Sequence, residues 1–219
     1  YAVRDPNGFR PLALGQRKNA DGTTAWCIAS ETCAFDIIGA EYVRDVAPGE
    51  VLMLDRAGAE TGEFQSFYLP QRHGTSQCIV EYVYFARPDS MVFGKMTDKV
   101  RRKLGKALAA EAPVPKVKKG EKRPIVISVP DSSNTAALGY VTENLKLGND
   151  CRFEIGLIRN HYVGRTFIQP GQDAREQKVR IKFNPVAGVL KDRVVVMVDD
   201  SIVRGTTSPK IVKMLRDAG

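Results

Sequence analysis

The stretch Val194-Val-Val-Met-Val-Asp199-Asp200-Ser201-Ile-Val-Arg204-Gly205-Thr206-Thr207-Ser208 decides how this 219-residue chain reads. An unbroken apolar run stops at two adjacent carboxylates, and a loop of small and hydroxyl residues follows. Such a run suits a strand covered on both faces, as in a parallel sheet. Ser208 is placed to cap the next helix, and Pro209 suits its first turn. Backbone N–H groups and hydroxyls at the start of a helix suit a phosphate, with the helix dipole adding to the attraction. The two aspartates fall at the carboxyl end of the strand, where open α/β sheets bind ligands. There they can hold vicinal sugar hydroxyls and, directly or through water, a Mg2+ ion. The predicted ligand is a sugar phosphate.

Two common phosphate loops are excluded: no GxxxxGK[ST] is present, and no GxGxxG follows a strand. A bare Asp-Asp pair also fits a solvated strand end. The whole stretch fits it less well, because it resembles the phosphoribosyl-pyrophosphate (PRPP) signature of type I phosphoribosyltransferases in its hydrophobic-run, DDS, RGTT order.

Composition sets the class. With 43% hydrophobic and 26% charged residues the chain reads as globular, and no apolar run approaches the roughly 20 residues needed to span a bilayer. Its first residues do not read as a signal peptide. Tyr1 opens what reads as the interior of a strand, and Gly219 follows a helix that a parallel sheet would continue with another strand, so both ends are expected to be cuts through a longer protein. The net charge is +8. Lys116, Lys118, Lys119, Lys122 and Arg123 read as a solvated loop, with nucleic-acid contact as the competing reading; basic groups elsewhere suit a polyanionic substrate. Cys27, Cys33, Cys78 and Cys151 form no CxxC pair, which argues against a disulfide scaffold or a complete zinc site and fits a reducing compartment.

Along the chain, Asp5-Pro-Asn-Gly8 and Pro48-Gly49 are turn signals, with strands predicted at 12–14, 25–29, 42–46 and 51–54. Residues 55–77 read as a polar linker. From Cys78 strands alternate with helices: strands at 78–85, 124–129, 153–158 and 193–198, helices at 97–111, 133–145 and 208–218. That alternation argues for a parallel α/β sheet.

Three loops are candidates for one substrate. The first is Asp199–Thr207. The second, Val129-Pro-Asp131-Ser132-Ser133-Asn134, also joins a strand to a helix; it suits a second phosphate group with Ser132 reaching a metal, or simply a helix cap. The third, Arg159 to Gln172, mixes cations, aromatics and glycines without periodicity, which fits a lid or an ordinary surface loop.

These segments, in this order, resemble the glutamine phosphoribosylpyrophosphate amidotransferase (amidophosphoribosyltransferase) family. Arg4-Asp-Pro-Asn-Gly-Phe-Arg-Pro-Leu12, Ala29-Ser-Glu-Thr-Cys-Ala-Phe-Asp36, Arg44-Asp-Val-Ala-Pro-Gly-Glu50 and Glu81-Tyr-Val-Tyr-Phe-Ala-Arg-Pro-Asp-Ser90 are similar to its landmarks. So are Tyr162-Val-Gly-Arg-Thr-Phe-Ile-Gln-Pro170 and Val198–Thr207. The resemblance implies an α/β chain, α+β overall. Residues 1–77 would be the C-terminal part of an N-terminal-nucleophile glutaminase domain plus a linker. Residues 78–219 would be an incomplete type I phosphoribosyltransferase parallel-sheet domain.

In that family, ammonia from glutamine displaces pyrophosphate from PRPP to give 5-phosphoribosylamine, the first step of de novo purine biosynthesis. The resemblance implies PRPP binding by Asp199, Asp200, Ser201, Arg204, Gly205, Thr206, Thr207, Asp131, Ser132 and Ser133. It implies Mg2+ at Ser132, Asp199 and Asp200, and a lid carrying Tyr162, Arg165 and Ile168. His161 departs from the arginine usual there. The glutaminase uses an N-terminal cysteine, which Cys27 and Cys33 do not replace, so these residues alone are not expected to use glutamine. Some members hold a [4Fe–4S] cluster, and Cys33 matches its first ligand position. The implied partners are PRPP, glutamine or ammonia, and purine nucleotide feedback inhibitors, with no nucleic acid and no membrane. The implied full-length form is a cytoplasmic homo-oligomer. The competing reading is a PRPP-binding transcriptional regulator of the phosphoribosyltransferase fold; a salvage phosphoribosyltransferase would leave the first ~75 residues unexplained.

Overall fold

The computed structural model describes residues 1–70, 74–118, 120–160, 182–202, 205 and 207–219. They divide into two compact units, Tyr1–Val100 and Arg101–Gly219.

The first unit is built on two antiparallel three-stranded sheets. One pairs Ala2–Val3, Glu50–Met53 and Gln65–Tyr68; the other orders Thr24–Ala29, Ala13–Lys18 and Glu41–Asp45. Ala2 and Leu52 from the first sheet meet Leu14 from the second, with Val46, in one buried cluster. Two sequence landmarks hold this unit together. The Arg4 guanidinium is buried and donates to the carbonyls of Arg10, Val46 and Gly8, stitching the turn after the first strand. Glu50, equally buried, takes a two-pronged bond from Arg44 and further bonds from the Ser66 hydroxyl and the Ala47 amide. Burial alone raises its carboxyl; these four donors outweigh that and hold it at about 2.

Two expectations for this unit are corrected. The polar stretch 55–77 contains a helix, Arg56–Thr61, capped by Asp55 accepting from the Gly58 amide at 2.7 Å, and then the strand Gln65–Tyr68. The apolar run 78–85 is no strand: Glu81–Phe85 forms a π-helical turn, with Glu81 and Tyr82 inward. Tyr82 donates its hydroxyl to the Val92 carbonyl, and Arg10 reaches the buried Glu81 carboxylate at 2.7 Å. A strand's alternation would have put these adjacent side chains on opposite faces.

In the second unit a parallel sheet is ordered Arg152–Phe153, Ile125–Ser128, Val195–Val198. The central strand is buried on both faces, as its run of aliphatics requires. Val126 joins Ala109, Ala137, Tyr140 and Val141 from the helices Thr97–Glu111 and Asn134–Lys146 on one side. Ile125 and Ile127 join Leu190, Ile211 and Leu215 from the helices Ala187–Leu190 and Ser208–Asp217 on the other. The predicted strand 153–158 is two strands: after Phe153 the chain leaves the sheet, and Leu157–Arg159 pairs antiparallel with Phe183–Pro185. Gly156 makes this possible, because a Cβ there would stand 2.7 Å from an Ile127 methyl.

Candidate functional site

The register of two neighbouring strands builds the site. Ser128 lies opposite Val198 in the parallel ladder, and the Val129 amide donates to the Val198 carbonyl at 2.9 Å. The loops that follow therefore start side by side, at the carboxyl end of the sheet. Ser132 Oγ donates to Asp200 Oδ2, and Ser133 Oγ lies 3.4 Å from Asp199 Oδ1. The Asp200 amide also donates to Asp199 Oδ1 at 2.9 Å, and Ser201 Oγ donates to Asp200 Oδ1 at 2.8 Å. Asp131 pairs with Arg159, Nη1 to Oδ2 at 3.2 Å.

The electrostatics follow from this packing. Burial raises the Asp199 carboxyl above its ordinary value and the neighbouring Asp200 charge adds to it, while the Asp200 amide, the Ser133 hydroxyl and the Lys182 ammonium pull the other way. Two half-buried adjacent carboxylates, each with a serine hydroxyl beside it, form a donor set of hard oxygens, which fits Mg2+ and does not suit a soft metal. Asp199, Asp200 and Ser132 could supply oxygens to such a cation, which would bring positive charge to the end of the sheet.

Of the residues singled out in the sequence, Asp131, Ser132, Ser133, Asp199, Asp200 and Ser201 come together. Gly205 has φ +63°, a left-handed conformation that glycine takes without strain. The predicted cap at Ser208 is corrected: Thr207 takes the cap position with no side-chain cap bond, and Ser208 is the first helical residue. Pro209 then lies in the first turn, where its missing N–H is no loss. Arg204, Thr206, Tyr162, Arg165 and Ile168 lie outside the described residues. Cys33 is buried, with its thiol 3.7 Å from Glu31 Oε2. No three His, Cys, Asp or Glu side chains gather as a metal centre among the described residues, so these alone do not build an iron–sulfur site. Sequence reading did not find Arg159 as the partner of Asp131, nor Lys182 as a charge acting on Asp199. Their only signal is that both are cations flanking the 160–181 stretch.

No family model matches the chain. Individual proteins do. It is 50% identical over 218 residues to the chloroplastic amidophosphoribosyltransferase of Glycine max, covering 100% of this chain and 35% of that protein. It is 47% identical over 215 residues to the amidophosphoribosyltransferase of Bacillus subtilis, covering 98% of this chain and 40% of that protein. Among solved structures it is similar to the glutamine phosphoribosylpyrophosphate (PRPP) amidotransferase from B. subtilis complexed with ADP and GMP, with TM-score 0.79 and 48% identity, over 98% of this chain and 42% of that one. The chain thus matches a segment of these enzymes and spans 35% to 40% of the length of these two curated relatives. No helix among the described residues is long and apolar enough to cross a membrane.

Proposed function

We propose that the protein carrying this chain is an amidophosphoribosyltransferase, which forms 5-phosphoribosylamine and pyrophosphate from PRPP and glutamine-derived ammonia in the first step of de novo purine biosynthesis. The observation that carries this is the juxtaposition of the 131–133 loop with Asp199 and Asp200 on adjacent parallel strands. One substrate with a phosphate at one end, a diphosphate at the other and two hydroxyls between matches that arrangement.

In this reading Asp199 and Asp200 hold the ribose hydroxyls and Mg2+, together with Ser132. Residues 201–207 take the 5-phosphate at the start of the Ser208–Asp217 helix, with Ser201, Arg204, Gly205, Thr206 and Thr207 in contact. Asp131, Ser132 and Ser133 face the diphosphate. The reaction breaks the bond between C1 and the diphosphate oxygen and forms one from C1 to ammonia nitrogen, which then loses a proton. The carbon gains oxocarbenium character on the way, so the residues' main task is to bind the departing diphosphate and to keep water out. Tyr162, Arg165 and Ile168 belong to the lid that does the latter. Residues 1–77 are assigned to the end of the glutaminase part plus a linker that excludes the helix and strand within 56–68, and 78–219 to the phosphoribosyltransferase part, of which 78–100 fall in the first compact unit. Cys33 as a ligand of a [4Fe–4S] cluster needs cysteines other than those described, and a cytoplasmic homo-oligomer answering to purine nucleotides completes the reading.

The test is ammonia-dependent release of pyrophosphate from PRPP by the full-length protein in Mg2+. Activity that Asp199→Asn/Asp200→Asn abolishes is expected. A wild-type protein that folds and leaves PRPP intact would refute the proposal.

A further inference from the structure

The 129–133 loop carries the hydroxyls that meet the two carboxylates, so whatever fixes its ends fixes the site. Its ends are Ser128, the last residue of the central strand, and Asn134, the first of the following helix. Ser128 Oγ donates to Asn134 Oδ1 at 2.6 Å, a direct bond across the base of the loop.

Three features give that bond weight. The strand is otherwise aliphatic, with Ile125, Val126 and Ile127 fully buried, so a hydroxyl at the 7%-exposed Ser128 demands a partner. Ser133 occupies the helix cap position but makes no side-chain cap bond. Its hydroxyl turns to Asp199 instead, so the tie that a cap gives between loop and helix is absent at Ser133. Ser128 and Asn134 supply a tie one residue further on. Ser128 also lies opposite Val198, the residue before Asp199, which puts the bond level with the carboxylates.

We propose that Ser128 and Asn134 are positioning residues for PRPP. Their bond closes the base of the loop, holding Ser132 against Asp200 and Ser133 against Asp199 before the diphosphate arrives. The inference rests on the phosphoribosyl-transfer reading above. The two residues would act as the hydrogen-bond partners of metal ligands do, by orienting the groups that touch the ligand.

The test uses the full-length protein and compares Ser128→Ala, Asn134→Ala, the double variant and Ser128→Thr, which keeps the hydroxyl. Calorimetry gives the Kd for PRPP in Mg2+, and initial rates with ammonia give kcat and KM. Each alanine variant is expected to weaken PRPP binding about tenfold. The double variant should be no worse than either single one, and Ser128→Thr should bind within about twofold of wild type. Each variant should still unfold cooperatively, with its thermal midpoint lowered by no more than a few degrees, which separates positioning from loss of fold. Wild-type affinity in Ser128→Ala, additive losses in the double variant, or a threonine variant as weak as the alanine would each overturn the inference. A wild-type protein that does not bind PRPP would overturn the proposed function, and the inference with it.

Discussion

Ser132 and Asp200 are 68 residues apart in sequence, yet the hydroxyl of one donates to the carboxylate of the other. Nothing local to either loop produces that contact. It follows from the parallel register of Ile125–Ser128 with Val195–Val198, which ends both strands at the same level. Ser132→Ala keeps the register and removes the hydroxyl. It is expected to weaken Mg2+-dependent PRPP binding by about tenfold or more while leaving circular dichroism unchanged. Unaltered affinity would remove Ser132 from the site.

Gly105 and Gly139 set the closest approach of two helices in the second unit. A Cβ on Gly105 would stand 1.9 Å from the Ala136 carbonyl oxygen, and one on Gly139 would stand 2.2 Å from that of Arg102. Both obstacles are helix backbone, which cannot rotate away. Either glycine changed to alanine forces the helices apart and opens the cluster around Ala109, Ala137 and Tyr140. The expected cost is about 1–3 kcal/mol, read by denaturant unfolding, even though alanine is the better helix former. A neutral or stabilised variant would contradict the packing described.

Glu50 makes the first unit sensitive to acid. Its folded value of about 2 lies below the ordinary 4.5, so its contribution is fully present above the ordinary value. That contribution is lost as the pH falls from about 4.5 towards 2, and amounts to about 3 kcal/mol. Urea unfolding of Glu50→Gln at stepped pH is expected to show lower stability at neutral pH and a flatter acid limb than wild type. Equal acid slopes would mean that the Arg44–Glu50 pair is not what holds this corner.

The sequence made the sheet of the second unit legible because aliphatic runs such as 124–129 and 193–198 have few other uses. The two strand-end loops were legible for the same reason: carboxylates and hydroxyls directly after such runs stand out. What it hid were short elements and long-range pairs. The Arg56–Thr61 helix is only a turn and a half, and its signal was the single cap residue Asp55. The 78–85 run is apolar enough for a strand, but burying Glu81 against Arg10 depends on a partner some seventy residues away. The break between Phe153 and Leu157 rests on how close Gly156 comes to Ile127, which no local pattern records. At the site, Arg159 meets Asp131 only because the antiparallel ribbon of Leu157–Arg159 with Phe183–Pro185 directs it there.

The central claim is that the two strand-end loops form one PRPP site, and calorimetric titration of the full-length protein with PRPP in Mg2+ tests it most directly. Saturable binding that requires the metal, and is lost in Asp199→Asn/Asp200→Asn without loss of fold, is the predicted result. PRPP binding that survives the double substitution would place the sugar phosphate elsewhere and contradict the account.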